Sequence, residues 1–202
     1  MSRSLRPWRE KVARAARRMA ELGLVRGSSG NVSVRCGDLV LITPSSIPYE
    51  WLRPKQVIAI ELPSGRKLSG CGEPSSEWRM HLSIYRARED VKAIVHTHSP
   101  YATAASFRRH LPVVHDEGKL LFGEEVPVSE HAPPGTWALA EAVAEALGRG
   151  KAALIARHGT VAVGRTLTEA LLLAEKLEEA AQLALILDPE PKRGRNHGEE
   201  AI

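Results

Sequence analysis

The residues best suited to chemistry in this chain are His96 and His98, set in the apolar run Ala93-Ile94-Val95-His96-Thr97-His98. Side chains alternate faces along a strand, so two histidines one pleat apart point the same way. Two imidazoles held like that form a rigid half of a metal site. His158, in Arg157-His158-Gly159, can supply a third nitrogen, and Glu77 a carboxylate. Zinc takes imidazole nitrogen and carboxylate oxygen in tetrahedral array, and a catalytic site leaves one position open. The plainer reading is that strand histidines are simply hydrogen-bonded. Burying two unpartnered imidazoles on one face is costly, but spacing alone leaves both readings standing.

Glu77 has a structural explanation as well. Ser75 reads as the N-cap of a helix running through Met80 and Ile84 towards Arg88, and an acid in a first turn is stabilised by the helix dipole. Glu77 and His81 are four apart on one helical face, a pairing used by metalloproteases, but the second histidine of that motif is missing. His110, His115, His131 and His197 fall in loops or the tail and read as surface residues.

Three segments are crowded with small hydroxyl and amide residues: Gly27-Ser28-Ser29-Gly30-Asn31, Thr43-Pro44-Ser45-Ser46 and Pro74-Ser75-Ser76. Each offers backbone N–H and hydroxyl donors to an anion, and each is also an ordinary turn or cap. Together, beside a candidate metal centre, they favour a phosphorylated substrate. No Walker loop or helix-opening GxGxxG is present, so a nucleotide cofactor is not supported.

The elements that must position these groups are legible as a strand-rich middle with helices before and after. Leu5, Trp8, Val12, Ala15, Met19 and Leu22 step by three and four, as an amphipathic helix does, with Gly23 at its C-cap. Val32-Ser33-Val34 and residues 39–42 flank a turn at Gly37-Asp38; residues 57–62 and 66–68 flank Pro63-Ser64-Gly65. Both read as hairpins. Ser99-Pro100 opens a short helix, residues 111–135 read as loop around a short strand at Val126-Pro127-Val128, and a helix over 136–147 is closed by Gly148. Strands follow at 152–156 and 161–163. Thr166 and Glu169 form a capping box for a last helix to about Leu187, stopped by Pro189. Residues 190–202 read as a polar tail, and the whole of 1–202 as one domain.

Composition bounds the partners. Hydrophobic residues make 43% of the 202, and charged residues 26%, which is globular. The net charge of +4 is concentrated in the first helix and in Lys192, Arg193 and Arg195. Aromatics at 4% are too few to interleave with that charge, which argues against nucleic acid. No run reaches membrane-spanning length, and Cys36 and Cys71 form no CxxC, so a reducing cytosol is expected.

At these residues the chain resembles the class II aldolase/adducin family, nearest to its fuculose-phosphate aldolase branch. The stretches that carry the likeness are Gly27 to Arg35, Leu41 to Glu50, Glu73-Pro74-Ser75-Ser76-Glu77-Trp78-Arg79, Val95-His96-Thr97-His98 and His158-Gly159, in family order. The resemblance implies a three-layer α/β/α fold around a mainly antiparallel sheet, assembled as a homotetramer with active sites between subunits. It implies Zn2+ on His96, His98 and His158, with Glu77 as the acid at the metal. The phosphate would lie on Asn31, Ser45, Ser46, Ser75 and Ser76, with backbone from Gly30. The implied reaction is reversible retro-aldol cleavage of a ketose 1-phosphate to dihydroxyacetone phosphate and an aldehyde, with Glu77 shuttling the proton.

In one place the chain departs from the pattern. Where fuculose-phosphate aldolases carry a tyrosine thought to protonate the aldehyde oxygen, this chain reads Val113-Val114-His115-Asp116-Glu117. Asp116 is then a candidate catalytic acid. An acid there also suits a pentulose-phosphate 4-epimerase of the same family. The alternative of another kind is a non-catalytic module like the adducin head, against which the survival of His96, His98, His158 and Glu77 counts.

Overall fold

The layering follows from alternation along the central strand, β5 (Ala93–Thr97). Ala93 and Val95 join one buried cluster and Ile94 another, so both faces of this strand are covered. The structure, a computed structural model, describes residues 5–187. β5 pairs with β1 (Asn31–Cys36) on one edge and β9 (Gly159–Gly164) on the other. The sheet extends beyond β1 through β2 (Leu39–Ile42), β3 (Ile58–Glu61) and β4 (Lys67–Ser69), and beyond β9 through β8 (Ala152–Ile155). All its pairings are antiparallel.

Helices α1 (Arg6–Glu21), α3 (Pro100–Ala105) and α6 (Leu167–Leu187) supply Val12, Ala102 and Leu177 to the cluster on the Val95 face. Helices α2 (Trp78–Ala87) and α5 (Trp137–Leu147) supply Met80, Ile84, Leu139 and Val143 to the cluster on the Ile94 face. The result is a mixed α/β fold of three layers around an antiparallel sheet. α1 ends as its sequence suggests: Gly23, at φ 71, donates to Ala20 O while Leu24 N–H reaches Met19 O. That pair of bonds satisfies carbonyls a helix end otherwise leaves open. Among the described residues no helix is long and apolar enough to cross a membrane.

Three expectations need correction. The stretch 111–135 is more ordered than loop: β6 (His110–Pro112), α4 (Asp116–Phe122) and β7 (Glu125–Pro127) lie there, with β6 paired to β7. Elements of three and seven residues are too short to show a period. α2 begins at Trp78, with Glu77 rather than Ser75 at the N-cap. Ser75 is held elsewhere, because the Pro44↔Pro74 bridge and the bond from Ser75 N–H to Thr43 O draw it into an extended loop. At α6, Thr166 Oγ1 accepts from Glu169 N–H, but the Glu169 carboxylate accepts from Arg165 N–H rather than completing the reciprocal box. Pro189 and the tail at 190–202 lie outside the described residues.

The β5–β9 pairing is tight beside the histidines: a Cβ at Gly159 would overlap the Thr97 carbonyl oxygen and press on the His98 ring. Gly159→Ala is expected to cost about 1–3 kcal/mol, the usual range for overpacking. Urea unfolding would show it as a lower midpoint with unchanged slope, and an unmoved midpoint would disprove the tight fit.

Candidate metal centre

Strand geometry brings the first ligand into place. His96 sits opposite Asn31 of β1 and Val161 of β9, on the same sheet face as Ile94, beneath the start of α2. Its Nδ1 lies 2.7 Å from the carbonyl oxygen of Thr160. A carbonyl can only accept, so Nδ1 carries the proton and the Nε2 lone pair points away from the sheet. His98 follows the strand end, its Nε2 2.9 Å from Nε2 of His96. His158 comes from the β8–β9 turn, where Arg157 takes a left-handed φ of 59. Its Nε2 is 3.1 Å from that of His98 and 3.3 Å from Glu77 Oε1. Glu77, at the head of α2, puts Oε2 2.8 Å from His96 Nε2.

These four ligand atoms lie within 4.8 Å of one another. Ligands on a tetrahedral zinc with bonds of ~2.0–2.1 Å stand roughly 3.3 Å apart, so the cluster matches that array after small adjustment. Nitrogens this close cannot all present lone pairs to each other without a proton or a cation between them. Glu77 Oε1 is buried without a hydrogen-bond donor, which a cation would satisfy. The donor set, three nitrogens and a carboxylate, therefore fits a divalent metal ion.

Two loops stand beside the cluster. Pro44 bridges to Pro74, Ser45 N–H donates to Glu73 O at 2.9 Å, and Ser75 N–H to Thr43 O at 3.0 Å. This links the loop holding Ser45 and Ser46 to the loop holding Ser75 and Ser76. Asn31 Nδ2 spans the two sets of groups, donating to Ser75 Oγ at 2.9 Å and Glu77 Oε2 at 3.1 Å. Gly30 precedes it at φ 69, where a Cβ would stand 2.5 Å from the His96 carbonyl oxygen. Ser46, at φ 61, is one of only two non-glycine residues with positive φ among the described residues, a strained conformation of the sort that collects at sites. Ser45, Ser46 and Ser76 are exposed, whereas Ser75 is buried.

Residues 10–185 match the family described as Class II Aldolase and Adducin N-terminal domain. The chain belongs to that family. An L-fuculose phosphate aldolase of Escherichia coli is 42% identical over 178 residues, 86% of this chain and 82% of that protein. A 5-methylthioribulose-1-phosphate/5-deoxyribulose-1-phosphate aldolase of Rhodospirillum rubrum is 41% identical over 169 residues, covering 83% of this chain and 76% of the relative. A solved L-fuculose 1-phosphate aldolase superposes with a TM-score of 0.85 at 32% identity, over 100% of this chain and 92% of its own.

Within this class II aldolase fold, charge is arranged for a cation. Burial works against ionising Glu77, but His96, then His158 and His98, outweigh it and hold the carboxyl well below the usual range. Burial pushes His98 down to about 3, reinforced by His96 and His158, and it also lowers His158. For His96 burial opposes the charge, yet the Glu77 carboxylate raises it. With Glu77 charged and His98 and His158 kept neutral, the site needs only the His96 Nε2 proton displaced to reach the protonation state that metal binding requires.

Asp116 is not one of the four; it is exposed at the first position of α4. Nearby, His115, Glu117 and Glu179 also gather, but Lys176 already pairs with both carboxylates at 2.9 and 2.8 Å. Three residues that sequence reasoning did not bring to the site are Ser33, His81 and Tyr85. His81 did carry a signal in its four-residue spacing from Glu77. The polar position of Ser33 inside an apolar strand was another.

Acid should unfold this site. His98 and the buried His81, itself pushed down to about 3, stay neutral when folded. Unfolded, both take up a proton near ~6.5. The unfolded chain then binds more protons, so their contribution is full above that value and is lost as pH falls towards 3. Urea unfolding of metal-free protein is expected to show stability falling below pH ~6.5, with a shallower slope in His98→Asn. An identical slope in the variant would contradict the assignment.

Proposed function

We propose that this chain is a zinc-dependent sugar-phosphate aldolase. It would cleave a ketose 1-phosphate of the L-fuculose 1-phosphate kind to dihydroxyacetone phosphate and an aldehyde, and catalyse the reverse condensation. The observation that carries this reading is the convergence of Glu77, His96, His98 and His158 within 4.8 Å, beside hydroxyl-bearing loops tied to Glu77 through Asn31. His96, His98, His158 and Glu77 would hold the ion, which supplies Lewis acidity to the substrate's carbonyl and hydroxyl oxygens. Asn31, Ser45, Ser46, Ser75 and Ser76, with the backbone of Gly30, hold the phosphate by N–H and O–H donation. Glu77 takes and returns the proton at the carbon beside the carbonyl, a general acid/base role.

The named relatives share phosphate-bearing substrates but differ in the sugar. Selectivity therefore rests on the aldehyde half, where Asp116 stands in place of the family's tyrosine. Exposed on its own subunit, Asp116 would serve the site of a neighbouring subunit in a homotetramer, protonating the aldehyde oxygen. The free thiols Cys36 and Cys71 accord with a cytosolic enzyme. Asp116 also supports a second reading, a pentulose-phosphate 4-epimerase, in which the aldehyde is re-added on its other face. The metal-ligand set argues against a non-catalytic adducin-head-like module.

Two experiments test this. Incubation with L-fuculose 1-phosphate, 5-deoxyribulose 1-phosphate and ribulose 5-phosphate is expected to release dihydroxyacetone phosphate from a 1-phosphate. Epimer formation without free dihydroxyacetone phosphate would replace the aldolase reading with the epimerase. Glu77→Gln is expected to retain zinc yet slow exchange of the dihydroxyacetone phosphate proton with solvent by about 100-fold or more. Unchanged exchange would exclude Glu77 as the base.

A further inference from the structure

Behind Glu77 runs a line of buried polar side chains of which the proposed reaction uses only Asn31. Asn31, Ser33, His81 and Tyr85 are all at most 1% exposed. Their contacts are Tyr85 Oη to Ser33 Oγ at 2.8 Å, Ser33 Oγ to His81 Nδ1 at 2.6 Å, and His81 Nε2 to Asn31 Oδ1. Asn31 Nδ2 then reaches Glu77 Oε2 at 3.1 Å and Ser75 Oγ at 2.9 Å.

The charge of Glu77 fixes the direction of every bond in this line. An ionised carboxylate only accepts, so the Asn31 amide must turn its NH2 towards it. Oδ1 then faces His81, whose Nε2 must carry the proton. His81 is neutral, since burial pushes it down to about 3, so Nδ1 is a bare acceptor and must receive the Ser33 hydroxyl hydrogen. Ser33 Oγ in turn accepts from Tyr85, which burial keeps protonated. In the opposite sense Asn31 Oδ1 would face the Glu77 carboxylate, an acceptor against an acceptor at 3.1 Å. No donor on this buried line could relieve that.

We infer that Tyr85, Ser33 and His81 form a one-directional hydrogen-bond relay that locks the Asn31 amide, making His81 a positioning residue for both Glu77 and the anion loops. The inference rests on the function proposed for Glu77 and Asn31. Two consequences follow from the lock. Glu77 Oε2 is committed to Asn31, leaving Oε1, which has no hydrogen-bond donor, as the oxygen that faces the ion in the resting site and takes the substrate proton once substrate displaces it. Ser75 Oγ accepts from Asn31 and, at 3.4 Å, from Glu77 N–H, so its own hydrogen is left to donate to an incoming anion.

The test pairs a spectrum with a rate. Two-bond 1H–15N correlation of the imidazoles, with His81 assigned by its loss in His81→Gln, is expected to show His81 as the Nε2–H tautomer. In Ser33→Ala the donor to Nδ1 is gone while Asn31 still holds the Nε2 proton, so the tautomer should stay and the Nδ1 resonance should move to that of an imine nitrogen with no hydrogen bond. Deuterium exchange into dihydroxyacetone phosphate is then expected to slow by about tenfold or more in Ser33→Ala and in His81→Leu, the scale of one misdirected bond to a charged group. His81→Gln, which can both accept from Ser33 and donate to Asn31, should recover part of the rate. A wild-type Nδ1–H tautomer overturns the relay, whether or not any exchange is seen. So does an Nδ1 resonance unmoved by Ser33→Ala, or full exchange in both Ser33→Ala and His81→Leu when Glu77→Gln has lost it. Full exchange in Glu77→Gln as well would instead overturn the function proposed for that carboxylate.

Discussion

A carboxylate buried at the head of a helix is the constraint around which this molecule is arranged. Glu77 is 6% exposed, and a charge removed from water is costly unless it is paired and hydrogen-bonded. Its compensation comes from every side. His96 and His158 approach its two oxygens, and Asn31 donates to one of them. Each of those partners is itself fixed by the main chain. His96 is oriented by the Thr160 carbonyl, His158 by the left-handed turn at Arg157, and Asn31 by its place opposite His96 in the sheet.

The sheet supplies the rigidity. β1, β5 and β9 are the central strands, packed on both faces, and the site lies where they end together. At that end glycine is required twice for close approach. Gly30 lets β1 pass beside the His96 carbonyl, and Gly159 lets β9 start against Thr97. Loops carrying Ser45, Ser46, Ser75 and Ser76 can then lie beside the ligands without any of the metal-ligating groups resting on a long flexible segment. Precision of this kind is what a proton-transfer site needs, because small displacements of the base cost rate steeply.

Much of this was legible in the sequence. The pairing of His96 with His98 followed from strand period, and the hairpins from Gly37 and Gly65 in their turns. Other parts were hidden for identifiable reasons. β6 and α4 are too short for hydrophobic periodicity to register, so 111–135 read as loop. Ser75 looked like a cap because local sequence does not report the Pro44↔Pro74 bridge that pulls it into an extended loop. The buried line from Tyr85 to Asn31 joins residues 48 to 52 positions apart across β1 and α2, a relation only the folded chain displays. His158 could be named from its motif, but not from geometry, since its approach depends on a turn 60 residues beyond His98.

The claim on which the rest depends is that Glu77, His96, His98 and His158 bind one divalent ion together. Zinc-edge X-ray absorption on the protein loaded with one equivalent of zinc and then desalted tests it most directly. The expected spectrum has only nitrogen and oxygen neighbours, at ~2.0–2.2 Å, with outer-shell imidazole scattering from three histidines that falls by one in His158→Ala. Zinc lost on desalting, a sulfur shell, or scattering unchanged in His158→Ala would contradict it.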